Sequence, residues 1–389
     1  MTVVYPCVFS FFSGSGFLDL GFETSGFNIV YVNEIFEPFM KAYRYAREIL
    51  QLPQPEYGYH HGEAADVSKL MEGVEAQRLC DLVKDCRNSH PILGFIGGPP
   101  CPDFSVGGKN KGILGDNGKL SACYVELICR NLPDFFLFEN VKGLWRTKKH
   151  RLFFEYLKHK LIQTGYTLTE RLINAIEYGV PQDRERIILV GFRDNFLKDI
   201  GINQLIAERH FNWQNKVLYP QEQVFNYPWQ KCETFRENSI TPCPENIPEE
   251  LTVEYWFRKN DVLNHPNAQH YFKPRAGIAK FAVVDEGDVS KKSFKRLHRW
   301  RYSPTACYGN NEVHLHPYKV RRISVAEALA IQSLPANFIL PEDIYLTNMF
   351  KTIGNGVPYL ASKALAQIIL DFLPTGVKKY PHPHYMRNV

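Results

Sequence analysis

The sequence predicts an α/β fold, doubly wound, with a mostly parallel Rossmann-like sheet and an inserted, irregular domain. Three observations carry this. Short apolar runs bounded by glycine or proline alternate with amphipathic stretches through the first half, the rhythm of successive βαβ units. That rhythm stops after Phe192, and Asn195–Tyr318 holds many prolines and aromatics with few helical periods. Periodicity returns in two helices, Ser324–Leu334 and Val357–Leu373, so the chain's own C-terminus is expected to close the first domain. The expected division is 1–194, 195–318 and 319–389, with the outer parts forming one domain.

Each element has its own signal. Cys7–Phe12 reads as the first strand, followed by a glycine-rich turn and the helix-like "FLDLGFETSG". Phe27–Glu34 is a second strand and Glu37–Leu50 an amphipathic helix. Ile92–Ile96, Asp134–Val141 and Arg186–Phe192 are further short apolar strands, with helical patterns at Leu120–Leu132 and Arg151–Gly165.

At 389 residues the chain can bury a large core, and its net charge of +5 is too small to announce a polyanionic partner. The apolar N-terminus lacks a basic n-region and a small-residue cleavage site, and no run approaches a membrane span, so a cytoplasmic protein is expected. The nine cysteines form no C-x-x-C pair, which argues against a zinc site; most are expected to be small buried hydrophobes in a reducing compartment.

Four constellations suggest chemistry. In "FFSGSGFLDLGFE" (Phe11–Glu23) glycines follow a strand, where backbone can approach a ligand that then meets a helix N-terminus. Glu34 ends the next strand, where an acid commonly accepts from ribose hydroxyls. Asp66 either accepts from an adenine amino group or caps a helix before Ser68. In "GFIGGPPCPDFSVGGKNKG" (Gly94–Gly112) two prolines stop a strand, and Cys101 stands just past its carboxyl end. A thiol there is either a nucleophile favoured by the glycine/lysine loop or a buried loop cysteine.

Glu139 closes an apolar strand, where burial raises a carboxyl pKa and keeps it protonated, and Asn140 beside it supplies amide hydrogen bonds. Arg184 and Arg186 alternate into the following strand, so they are expected to face the same side; surface pairing with Asp183 and Glu185 is the competing reading. Lastly, "VSKKSFKRLHRWRY" (Val289–Tyr302) interleaves six cations with aromatics and contains no acid, the pattern of a nucleic-acid backbone contact.

Together these residues identify a resemblance. The sequence resembles the cytosine-C5 DNA methyltransferases, particularly the stand-alone enzymes of prokaryotic restriction–modification systems. The residues that carry it run in the family's order: Phe12 to Gly16, Glu34, Asp66, Pro100-Cys101, Glu139-Asn140-Val141, Gln182 to Arg186, "RRISVAEALAIQS" and "IGNGVP" (Ile353–Pro358). They span about Val8–Arg193 and Arg321–Leu373 and leave the inserted segment unmatched, as that family's variable target-recognition domains usually are. Phe17 replaces a usual glycine and Pro102 a usual glutamine.

The resemblance implies S-adenosyl-L-methionine as cofactor, held by Phe12, Ser13, Gly14, Ser15, Gly16, Glu34, Ile35, Asp66, Val67, Pro100, Leu120, Asn355 and Val357. Phe12 would stack on the adenine, Glu34 bind ribose and Asp66 the adenine amino group. Cys101 would be the nucleophile, Glu139 the acid at cytosine N3, and Arg186, with Arg184 beside it, the group holding O2. Double-stranded DNA would be gripped by Ser105, Lys109, Lys291, Lys292, Lys295 and Arg296. A monomer is expected, paired functionally with a restriction endonuclease without a stable complex. A tRNA-directed enzyme of the same fold usually carries a Cys-Phe-Thr tripeptide, absent here; an amino-group methylase would want Asp/Asn-Pro-Pro-aromatic. A silent DNA-binding protein is disfavoured because thiol, acid and arginines occur together.

Overall fold

The computed structural model describes residues 6–58, 66–90, 92–100, 116–202, 211–274, 278–291, 293–306, 308 and 312–374. Its centre is a six-stranded sheet built from β1 (Cys7–Phe11), β2 (Asn28–Asn33), β3 (Leu93–Gly97), β4 (Phe135–Val141), β5 (Tyr166–Asn174) and β7 (Glu185–Arg193). A short β6 (Gln182–Asp183) pairs instead with β8 (Ser303–Pro304). The sheet order is β2-β1-β3-β4-β7-β5. The first four strands are mutually parallel, while β7 runs antiparallel to both β4 and β5. The chain moves left from β1 to β2 and right to β3, so a switch point opens between β1 and β3 at their carboxyl ends.

The five expected strands are all present, within a residue or two at each end. They are apolar because both faces are covered: Val8, Phe9, Phe95, Ile96, Phe136 and Leu137 are fully buried. β5 escaped the sequence reading because six of its nine residues are only half-buried, unlike those of β2 at the opposite edge. The reversal of β7 follows from its connection. β5 leads through a 3₁₀ turn, Ala175–Tyr178, straight back into the sheet, with no crossover helix to restore direction.

Helices α1 (Phe17–Ser25), α2 (Glu37–Ile49), α3 (Gly73–Ser89), α4 (Asp116–Asn131), α5 (Lys142–Arg146) and α6 (Lys148–Gln163) fill the connections. α1 lies so close to the C-terminal helix Tyr359–Phe372 that a Cβ on Gly21 would come within 2.4 Å of Ser362. The C-terminal helix thus packs directly on α1. Ser324 and Glu327 form a reciprocal capping box that starts the helix Val325–Ile331, and Arg321 donates to both oxygens of Glu327.

The segment after Phe192 is irregular, with the helix Val253–Lys259 its longest element among the described residues. It is not separately packed. Trp256, Phe257, Leu297 and Tyr308 share one apolar cluster with Phe17 and Leu20 of α1, Ala42 and Ala46 of α2, and Ala328 to Ile331. Among the described residues no helix is long and apolar enough to cross a membrane.

Candidate active site

The turn after β1 is built from backbone that most residues avoid. Phe12, Gly14 and Gly16 have φ of 55°, 57° and 83°. The Ser13 amide donates to Asn33 O at 3.1 Å and the Gly16 amide to Ser13 O at 2.9 Å. Glu34 braces the turn: Oε2 accepts from the Gly14 amide at 3.0 Å and Oε1 from the Phe36 amide at 2.8 Å. Burial pushes the Glu34 carboxyl up, and these two amides with Lys351 pull the other way. A carboxylate has about four lone-pair sites, so acceptor capacity remains for a ribose hydroxyl beside these amides.

Around this turn stand the other expected residues. Phe12 is half-buried, edge-on to Tyr124 at 6.1 Å, and partly buried Leu120 packs in the same cluster. Ile35 is 58% exposed beside Glu34. Asp66 caps the turn Val67–Met71 by accepting from the Ser68 amide at 2.9 Å, and Val67 is buried beneath it. The run that would lead into Asp66, 59–65, lies outside the described residues. Ser15 shares a 2.6 Å hydroxyl–hydroxyl hydrogen bond with Thr352, which ties the turn to the helix Leu346–Asn355. Asn355 ends that helix exposed, and Val357 is buried. Between them Gly356 lies flat on the Phe17 ring, where a Cβ would come within 2.2 Å. So Phe17, the departure from the family pattern, supports the C-terminal segment. Gly16 starts α1 with no side-chain cap, and around Gly14 a Cβ would find nothing closer than 4.0 Å. Open turn, diol acceptor and half-covered aromatic face fit a nucleoside.

A second group gathers where β3 and β4 end. Glu139 is 8% exposed, and its Oε1 lies 3.0 Å from Arg186 Nε. The register of β4 and β7 pairs Val141 with Arg186, so the reversed strand starts where β4 finishes. Burial raises the Glu139 carboxyl pKa, opposed by Arg186 and then Arg184. Gly98 makes room for it, since a Cβ there would sit 2.8 Å from Glu139 Oε2. Asn140 works as a brace: Nδ2 donates to Pro99 O at 3.4 Å, and Oδ1 accepts from the Val141 amide at 2.8 Å. Pro100 is exposed at the exit, and Cys101, Ser105 and Lys109 follow outside the described residues.

Arg184 departs from the expectation. It is 1% exposed and donates to three backbone carbonyls: Ala306 at 3.0 Å, Gly354 at 2.8 Å and Gly356 at 3.1 Å. It precedes β7, in the bend between two ladders, so the same-face rule for alternate strand residues does not reach it. The surface-pairing alternative fails as well. Glu185 pairs with Lys142, and Asp183 accepts from Asn174 Nδ2 at 2.7 Å.

Comparisons with known proteins identify the family. The C-5 cytosine-specific DNA methylase family matches residues 7–371. The chain belongs to that family. The methylase is 55% identical over 381 residues to the Type II methyltransferase M.NmeDI of Neisseria meningitidis serogroup C, covering 98% of this chain and 85% of the relative. It is 30% identical over 373 residues to the Type II methyltransferase M.MthTI of Methanothermobacter thermautotrophicus, covering 92% and 96%. Among solved structures, a prophage-encoded DNA modification methyltransferase from E. coli superimposes with a TM-score of 0.61 at 20% identity, over 94% of this chain and 99% of that one. The protein is a DNA (cytosine-5-)-methyltransferase.

The basic run of the methylase needs correction. Arg296 is fully buried and spends its guanidinium on the carbonyls of Val284, Phe281, His316 and Lys319, so it cannot grip phosphate. Arg299 is buried too, paired with Glu286 at 2.8 Å. The run contains no acid, but the fold brings acceptors to it from elsewhere. Lys291 is exposed and Lys295 half-buried, while Lys292 lies outside the described residues. The sequence reading passed over another cluster. Arg146, Lys148 and Lys149 are exposed at the corner between α5 and α6, just after β4, and none has an acidic partner among the described residues. The signal was "WRTKKHR", directly downstream of Glu139.

Proposed function

We propose that this methylase is the modification enzyme of a Type II restriction–modification system, methylating C5 of a flipped-out cytosine within a specific duplex sequence. The observation that carries the chemistry is Glu139, buried and 3.0 Å from Arg186 at the exit of the strand that leads to Cys101. The system assignment rests on the likeness to relatives named Type II methyltransferases.

Cytosine C5 is too weak a nucleophile to be alkylated unaided. Cys101 adds as thiolate to C6, the ring electrons move toward N3, and protonated Glu139 meets them there. C5 becomes an enamine carbon. Arg186, with Nη1 held by Glu185 O at 2.8 Å, offers its remaining donors to O2. After methylation C5 loses its proton and the thiol is eliminated. S-adenosyl-L-methionine, when bound, supplies an electrophilic methyl group. Phe12 would cover its adenine, Glu34 accept from its ribose and the amides after Gly16 face its polar end, and Asp66, Leu120, Asn355 and Val357 would complete the site. The target base must leave the duplex first. Asn195–Tyr318 is the target-recognition segment in this reading, and Lys291, Lys295, Arg146, Lys148 and Lys149 are the cations available for phosphate.

Bisulfite sequencing of DNA from cells expressing the protein tests the activity and reveals the site. Cys101→Ser should abolish methyl transfer and the covalent adduct with DNA carrying 5-fluorocytosine, while cofactor and DNA still bind. An adduct that survives the substitution would mean another thiol attacks.

A further inference from the structure

The segment Gln182–Arg186 faces two ways. Arg186 turns to Glu139, whereas Arg184 and Gln182 turn into a buried junction. Gln182 is fully buried; its Oε1 accepts from the Ala306 amide at 3.1 Å, and its Nε2 lies 3.4 Å from Gln332 Oε1. Gln332 in turn donates to Ile353 O. Thr305 Oγ1 donates to Asp183 O at 2.6 Å, and the Ser303 amide to Pro181 O at 2.8 Å. Arg184 then spans the gap, with Nη1 on Ala306 O and Nη2 on the carbonyls of Gly354 and Gly356.

Two stretches of chain therefore meet on one guanidinium. The first, Ser303 to Ala306, is the return of the inserted segment. The second, Ile353 to Gly356, carries Asn355 and leads to Val357. They approach to backbone contact: a Cβ on Gly354 would stand 2.9 Å from the Tyr308 amide nitrogen. A planar fork with five donors suits such a crossing, because several carbonyls at different angles are satisfied at once. Its Nη1 and Nη2 are drawn to backbone carbonyls of the two crossing stretches, and the guanidinium is shielded from solvent.

We propose that Arg184 is a positioning residue that locks the return of the inserted segment to the cofactor-side segment. It holds the DNA-reading part and the methyl-donor site in register, and it makes no contact with the reacting cytosine. This rests on the assignment of those two segments given above.

The test compares Arg184→Lys with Arg186→Lys in the full chain. Lysine keeps the charge but cannot bridge three carbonyls. Arg184→Lys should raise KM for both S-adenosyl-L-methionine and DNA about tenfold or more, with kcat at saturation within a few-fold of the parent. Arg186→Lys should instead lower kcat with little change in either KM. The dissociation constant of S-adenosylhomocysteine, which needs no turnover, should rise in Arg184→Lys and stay unchanged in Arg186→Lys. Gly354→Ala opens the same junction while keeping the Arg184 side chain, and should shift both KM values in the same direction. Should Arg184→Lys fold poorly, the Gly354→Ala result decides. The idea is overturned if Arg184→Lys loses kcat at unchanged KM, or if Gly354→Ala leaves both KM values and the S-adenosylhomocysteine affinity at parental levels. Absence of methyl transfer in the parent would count against the functional reading instead, and the S-adenosylhomocysteine affinities would still decide the role of Arg184.

Discussion

Glu139 shows how one residue's surroundings set its chemistry. Burial raises its pKa more than Arg186 and Arg184 lower it. The sign follows directly: a raised pKa keeps the proton on at higher pH, and the acid form is lost as pH climbs through that value. Thus kcat/KM should fall on the alkaline side, since this ratio reports groups of the free enzyme. Glu139→Gln keeps an amide but delivers no proton, so turnover should drop at least about 10²-fold. The alkaline limb should vanish with it; turnover within a few-fold of the parent would make Glu139 a structural group. Asp19 has a related problem without a catalytic role. Buried under the turn, it accepts from Ser10 Oγ at 2.7 Å and Tyr43 OH at 2.9 Å. Burial, first among the causes, pushes its pKa from 3.8 up to about 6. Here the folded value exceeds the unfolded one, so its stability contribution is complete below the unfolded value and lost as pH rises through about 6. That difference corresponds to about 3 kcal/mol. Asp19→Asn should therefore lose less stability than the parent between pH 5 and pH 8 in urea unfolding. Parallel losses in the two proteins would show that Asp19 titrates without consequence.

Among the elements, β7 matters most. If it ran parallel to β4, its first residues would lie at the far edge of the sheet from Glu139. Running antiparallel, it starts beside Val141 and presents Arg186 to the acid. α5 then packs against β7, with Lys142 paired to Glu185, and the corner between α5 and α6 turns Arg146, Lys148 and Lys149 to solvent. Replacing those three with alanine should weaken cognate and non-cognate duplexes by similar factors, because phosphate contacts carry no sequence information. The log–log salt slope should flatten by roughly 0.9 for each phosphate no longer neutralised. An unchanged slope would remove this corner from the interface. Arg296→Ala should behave differently. It strands buried carbonyls, so it should lower Tm and leave the salt slope of the folded fraction alone.

At the scale of the whole molecule, the inserted segment shares its core with the rest of the chain. Trp256, Phe257 and Leu297 are 4%, 4% and 1% exposed, and they pack in one cluster with α1, α2 and Ala328 to Ile331. Severed at its ends, Asn195–Tyr318 would expose that apolar surface, and the remainder would lose the matching wall. The isolated segment should therefore lack dispersed amide resonances in proton NMR, and the intact chain should unfold in one cooperative transition. A folded isolated segment would show that its own contacts suffice.

The sequence alone determined what depends on local order: which runs are strands, where the glycine turn stands, and that Glu139 closes a buried strand. Apolar alternation, proline and glycine placement and motif order are all properties of neighbours in the chain, so they are legible there. Edge strand β5 was missed because half-burial blurs its pattern. The tertiary structure decided the rest. Arg184 and Arg296 are ordinary cations in the sequence; they become internal struts because Gly354, Gly356, Phe281 and His316 bring carbonyls to them from distant positions. The run Val289–Tyr302 contains no acid, yet Glu286 reaches Arg299 just as a carbonyl reaches Arg296. A guanidinium's partners depend on where the backbone crosses, and a charge count along the chain contains no record of those crossings.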